Sequence, residues 1–189
     1  MIPLTEIAQD VVRSTLKPGD IAIDATVGNG FDTQFLAEAV EPTGTVYGFD
    51  IQSAALQITS RRLSDAGLSN VCLSQRDHAE MQSVIPPQFH GQIAAIMWNL
   101  GYLPGGDKQL TTTLRSTVAA IQSGLALLTR GGVMTIIAYT GHPGGLEEAA
   151  AVEGLLRDLD PGEFQFTEPA PATHRFSPPR LFVVRRCIG

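Results

Sequence analysis

The sequence predicts an α/β fold: a single doubly wound, mostly parallel sheet with an antiparallel pair of strands at its C-terminal edge. Three observations lead there. Short runs that are apolar nearly throughout, such as IAIDA (21–25), TVYGFDI (45–51) and QIAAIMW (92–98), alternate with longer segments of helical spacing. Strands of that kind are buried on both faces of a parallel sheet. The last two strand-like runs, FQFTEP and RLFVVRRC, have only the proline-rich stretch 169–179 between them, with no helix to carry a parallel crossover.

The elements follow in order. LTEIAQDVVRSTL (4–16) has helical spacing with Thr5 as a candidate N-cap, and Pro18-Gly19 stops it. GFDTQFLAEAV (30–40) is a helix between the first two strands, and SAALQITSRRLSDAG (53–67) is one capped by Ser53 and ended by Gly67. VCLSQ (71–75) is the third strand, followed by a short helix near 78–84. LTTTLRSTVAAIQSGLALL (110–128) is a long helix, GGVMTIIAYT (131–140) a strand, and LEEAAAVEGLLRDL (146–159) the last helix. There is no internal repeat, and residues 1–189 read as one domain.

Composition narrows the function classes. The chain has 189 residues, 43% of them hydrophobic and 17% charged, as in an ordinary globular protein. No apolar stretch approaches the roughly 20 residues of a membrane span, and the N-terminal segment carries Glu6 and Asp10 where a signal peptide would be basic. Cys72 and Cys187 lie far apart in apolar runs; they read as buried thiols in a reducing cytoplasm, and their spacing suggests no metal site. The net charge of −6 argues against a general nucleic-acid binder. Residues 169–189 nevertheless hold Arg175, Arg180, Arg185 and Arg186 with no acidic side chain, so a local basic face is compatible with the acidic total.

In doubly wound sheets ligands bind beyond the carboxyl ends of the strands. The first strand ends in DATVGNGFD (24–32), where Gly28 and Gly30 permit a tight turn and a close approach of backbone to ligand. A dinucleotide loop would carry a third glycine where this chain has Thr33, and no Gly-Lys-Ser/Thr follows for a phosphate loop. Asp24 would repel a pyrophosphate and suit a ligand with a cationic amino-acid end. S-adenosylmethionine has such an end. Asp50 closes the second strand and can accept from both ribose hydroxyls, with Gln52 beyond it; this fits NAD equally well. At the third strand end, Asp77 can accept from an adenine amino group and His78 can stack or hydrogen-bond beside it. Each residue also has a plainer role. Asp24, Asp50 and Asp77 can cap helices, and His78 can be a surface histidine. Their recurrence at three successive strand ends is what points to a nucleoside.

NLGYLPGGDK (99–108) follows the fourth strand. Asn99 can take hydrogens from an acceptor amine and aim its lone pair, and Tyr102 can stack on a base. Met97, Trp98 and Leu100 form a candidate apolar wall that would disfavour the charged amine. Such help matters: an amine with a pKa of about 10.4 is neutral in only about one molecule in 2,500 at pH 7. Asp107 and His142, the latter in TGHPGG beyond the fifth strand, are candidates to remove a proton. Lys108, Arg175 and Arg180 are candidate phosphate contacts, argued as a cluster.

The motifs DATVGNGFDTQFLA, GFDIQ, NLGYLPGGDK and YTGHPGGLEE, in that order, resemble those of class I S-adenosylmethionine-dependent methyltransferases with a Rossmann-like sheet. More closely they resemble the YtqB-like, MnmM-type family long labelled as rRNA methylases. SPPRLFVV echoes its C-terminal segment, although THRFSPP departs from the Asn-rich run expected there. The resemblance implies a cytoplasmic enzyme that methylates the amine of 5-aminomethyl-(2-thio)uridine at the wobble position in the tRNA anticodon loop. It implies a donor site around Gly28, Asn29, Gly30, Asp32, Asp50, Gln52 and His78. A homodimer would widen the RNA surface. Other readings are a methyltransferase for a small-molecule amine or for rRNA, and a nucleotide-binding module without catalysis. An NAD-dependent oxidoreductase fits less well because of Thr33 and Asp24.

Overall fold

The computed structural model describes residues 2–101, 111–169 and 178–189. Their strands form one seven-stranded sheet in the order β3-β2-β1-β4-β5-β7-β6. Strands β1 (Ile21–Asp24), β2 (Thr45–Phe49), β3 (Val71–Ser74), β4 (Ile93–Leu100) and β5 (Leu128–Ala138) run parallel. β7 (Arg180–Arg186) lies antiparallel to both β5 and β6 (Phe164–Thr167), as the missing crossover requires.

Alternation along the strands divides the core in two. Ala22, Val46, Ala95, Met97 and Ile137 face α1 (Leu4–Arg13) and α2 (Phe31–Val40), with α3 (Ser53–Asp65) beside α2. Ile23, Phe49, Ile96, Trp98 and Ile136 face the other way, toward α5 (Leu114–Leu127) and α6 (Gly145–Arg157). The short helix expected near 78–84 is a 3₁₀ turn, His78–Glu80, running into α4, Met81–Val84. Among the described residues no helix is long and apolar enough to cross a membrane.

Several expectations need correction. Helix α1 starts at Leu4 behind Pro3, not behind a Thr5 cap, and α3 begins with Ser53 itself after Gln52. Cys72 is exposed because it sits on the edge strand β3, and Cys187 is only partly buried. The most consequential difference is at β4. The strand does not stop at Trp98 but pairs Asn99 with Ile137 and Leu100 with Ala138 of β5. Asn99 is therefore held by the sheet and not by a loop.

Trp98 is also not a wall of the ligand site. It is 1% exposed and points into the α5 side of the core, and Met97 and Leu100 are buried as well. Gly124 of α5 makes room for the indole: a Cβ there would lie 2.8 Å from Trp98 Cη2. A rigid ring in a close-packed core cannot yield cheaply. Gly124→Ala should therefore destabilise the fold by about 1–3 kcal/mol, an overpacking cost that outweighs the better helix propensity of alanine. Urea unfolding of the two proteins measures it; an equal or raised midpoint would show that the indole shifts freely.

Candidate active site at the carboxyl ends of the strands

The loop after β1 is built from hydrogen bonds on three sides. Gly28 and Gly30 have φ of 52° and 79°, which favour glycine. A Cβ on Gly30 would lie 2.5 Å from Thr59 Oγ1, so α3 packs directly against the loop. Thr59 Oγ1 donates to the carbonyl of Gly28 (3.1 Å), and Arg62 Nε donates to that of Asn29 (2.8 Å). Asp50 accepts from the backbone N–H of Gly28 through Oδ2 (2.9 Å) and of Gln52 through Oδ1 (2.8 Å). Each carboxylate oxygen has a further lone pair, so these bonds leave Asp50 capable of accepting from a ligand. Ile51 beside it is 49% exposed, a large apolar side chain next to a carboxylate, which the sequence reading passed over.

Asp24 takes a different place from the expected one. It is fully buried and spans the inside of the loop, accepting from the Thr26 backbone N–H (3.1 Å) and from Thr33 Oγ1 (2.6 Å). Thr33, which breaks the dinucleotide pattern, is thus the partner that the buried acid needs. Burial, followed by the nearby charge of Asp32, pushes the Asp24 carboxyl up to about 7.

Asp32, in the first turn of α2, is the carboxylate that meets the fourth strand. Its Oδ2 accepts from Asn99 Nδ2 and its Oδ1 from Gln9 Nε2, both at 2.7 Å. The backbone N–H of Asn99 donates to Thr26 Oγ1 (2.7 Å). A carboxylate only accepts, so Asn99 must turn its NH₂ toward Asp32. Its carbonyl oxygen is thereby committed to the opposite side as an acceptor.

The other expected residues divide between roles. Asp77 caps the 3₁₀ turn, accepting from the Ala79 N–H (2.8 Å). His78 is 7% exposed and hydrogen-bonds to the backbone of Ala25; burial lowers its pKa, so it is neutral at pH 7. It offers no open ring face for stacking, contrary to expectation. His142 lies on the rim beside Gly101: a Cβ on Gly101 would be 3.7 Å from His142 Nε2. Its Nδ1 lies 3.0 Å from the carbonyl of Pro143; since that oxygen can only accept, Nδ1 carries the proton in the neutral ring. Arg180 is not available as a phosphate contact. It pairs with Glu168 (2.6 Å) and Glu153 (2.7 Å), which hold its charge. Tyr102, Asp107, Lys108 and Arg175 lie outside the described residues.

Two residues not anticipated also belong here. Buried Glu148 of α6 accepts from Thr112 Oγ1 (2.9 Å) and Thr117 Oγ1 (2.6 Å), and the Thr112 N–H donates to the Gly101 carbonyl (3.0 Å). Tyr139, just past β5, is 41% exposed after seven consecutive buried residues. Spacing alone gives neither away, because a Thr-to-Glu clamp across 31 or 36 residues has no local signature.

The Asp24 carboxyl titrates near pH 7 in the folded chain and near pH 4 when unfolded. Between those values the native state holds a proton that the unfolded state releases. Stability contributed at low pH is therefore lost as pH rises. The wild type should lose on the order of 2 kcal/mol more than Asp24→Asn between pH 5 and 8 by urea unfolding. Equal losses would mean that Asp24 is ionised throughout.

Comparison with known proteins places this geometry in a family. The family model described as "Putative rRNA methylase" matches residues 46–185. The chloroplastic tRNA (mnm(5)s(2)U34)-methyltransferase of Arabidopsis thaliana is 35% identical over 165 residues, 80% of this chain; the chain spans only 58% of that relative's length. A crystal structure from Clostridium thermocellum carrying the same description as the family is 34% identical, with a TM-score of 0.93 over 98% of each chain. SMU.1697c of Streptococcus mutans, solved in complex with SAH, is 32% identical with a TM-score of 0.87, covering 98% of this chain and 99% of that one. The sheet order, the glycine loop over Asp24 and the extent of the match lead to one conclusion: the chain belongs to this rRNA-methylase family and has the fold of S-adenosylmethionine-dependent methyltransferases.

Proposed function

We propose that the protein is an S-adenosylmethionine-dependent N-methyltransferase. Its acceptor is the aminomethyl group of 5-aminomethyl-(2-thio)uridine at the tRNA wobble position, and its product is 5-methylaminomethyl-(2-thio)uridine. The observation that carries this reading is the Asn99–Asp32 bond, which fixes an amide oxygen at the strand end as an acceptor. The name of the Arabidopsis relative supports the choice of acceptor.

The donor set suits the cofactor. Asp50 can take ribose hydroxyls, the half-exposed Ile51 can cover a flat apolar face, and Asp32 favours positive charge. When bound, S-adenosylmethionine supplies a methyl group activated by a sulfonium. The chain's own work is to present the amine. Asn99 Oδ1 accepts one amine N–H and so aims the nitrogen lone pair. Gln9 and Asp32 keep the amide from turning over, and Thr26 holds its backbone. His142 on the rim is the described candidate to take the proton that the amine gives up. Asp107 is the candidate from sequence.

The acidic end of the sheet favours a second reading, a small-molecule amine as acceptor, since Asp32 and Asp50 would welcome any cationic substrate. Mass analysis of tRNA nucleosides after incubation with the donor separates the two. One added methyl group on an aminomethyluridine is the expected result, and its absence sends the assignment to the small-molecule class. In the same assay Asn99→Ala should lower kcat about 100-fold, the scale of a misplaced reactant. Calorimetric affinity for S-adenosylhomocysteine should stay within about threefold of wild type. Full turnover in that variant would remove Asn99 from the chemistry.

A further inference from the structure

We infer that Tyr139 is the platform on which the flat heterocycle bearing the acceptor amine stacks; the inference rests on the tRNA reading above. Alternation from Met97 and Ile137, which both face α1 and α2, carries Asn99 and Tyr139 to that same side of the sheet end. The ladder continues one step past β5, since the Tyr139 N–H donates to the Leu100 carbonyl (3.1 Å). The ring therefore springs from rigid backbone, two register positions beyond the pair that holds Asn99.

Its immediate neighbour is Gly101, with φ of 152°. A Cβ there would lie 3.5 Å from Tyr139 Cβ and 3.7 Å from both Tyr139 Cδ2 and His142 Nε2. A Cβ at those distances would rest against both rings in ordinary contact, and it is the positive φ that favours glycine at 101. Burial, followed by the nearby charge of Asp32, raises the pKa of the Tyr139 phenol. The hydroxyl therefore stays protonated at pH 7, and the phenol lies within the field of the carboxylate that orients Asn99. Tyr139 thus places an aromatic side chain, 41% exposed, on the face of the sheet end that also carries Asn99. That combination fits a pyrimidine ring stacked on the phenol with its amine directed at Asn99.

The test uses a fluorescein-labelled anticodon stem-loop carrying 5-aminomethyluridine, with anisotropy for binding and nucleoside mass analysis for turnover. Tyr139→Leu removes the ring and Tyr139→Phe keeps it. The exposed position allows both to fold, which thermal melting verifies. The leucine variant should bind the stem-loop about tenfold to a hundredfold more weakly, with KM raised in step, while the phenylalanine variant stays within about threefold of wild type. All three should bind S-adenosylhomocysteine within about twofold of one another.

Wild-type behaviour in the leucine variant would overturn the platform role and leave the acceptor assignment standing. So would equal loss in both variants, which would assign the effect to the hydroxyl, or loss of S-adenosylhomocysteine binding, which would place the ring in the donor pocket. A wild-type protein that neither binds nor methylates the stem-loop would overturn the acceptor assignment and the platform together.

Discussion

A carboxylate can accept hydrogen bonds but cannot donate them, and the candidate active site rests on that asymmetry. Asp32 receives the amides of Gln9 and Asn99 on its two oxygens, which joins α1, α2 and β4 at one point. Asn99 could otherwise turn over at little cost, since its two ends have nearly the same shape. With the amino group committed to Asp32, the carbonyl end has one direction left. The sheet supplies the other restraint, because β5 pairs with Asn99 and Leu100 and keeps their backbone from moving. Orientation of an acceptor is thus a property of the resting fold.

Three carboxylates, Asp24, Asp32 and Asp50, come to one end of the sheet; burial raises the Asp24 carboxyl most, and repulsion from the other two adds to it. Thr33 and the Thr26 backbone counter the burial of Asp24 only in part. A ligand that brings positive charge relieves this repulsion, whereas a pyrophosphate would add to it. Charge at this end of the sheet therefore opposes a pyrophosphate whatever its fit.

The order of elements was legible in the sequence because strands buried on both faces leave long apolar runs, and glycine and proline mark the ends. The antiparallel edge followed from the missing crossover. Element ends were less legible. Asn99 looked like loop because it is polar, and only pairing with a strand some 38 residues away makes it sheet. At the site, the glycine loop and Asp50 could be read from local spacing. The burial of Asp24 and His78, the inward turn of Trp98 and the ion pairs of Arg180 could not. Each depends on partners distant in the chain: Thr33, Ala25, Gly124, Glu153 and Glu168. Tyr139 was hidden for the opposite reason, since it ends an apolar run and reads as one more core residue.

The bond from the Thr112 N–H to the Gly101 carbonyl joins the two borders of the segment between them, and Glu148 anchors that junction to α6 through Thr112 and Thr117. The end of β4 is thus tied to α5 and α6 through one buried carboxylate. A substitution at Glu148 would therefore be felt at the far end of β4, although the two residues lie in different layers of the fold.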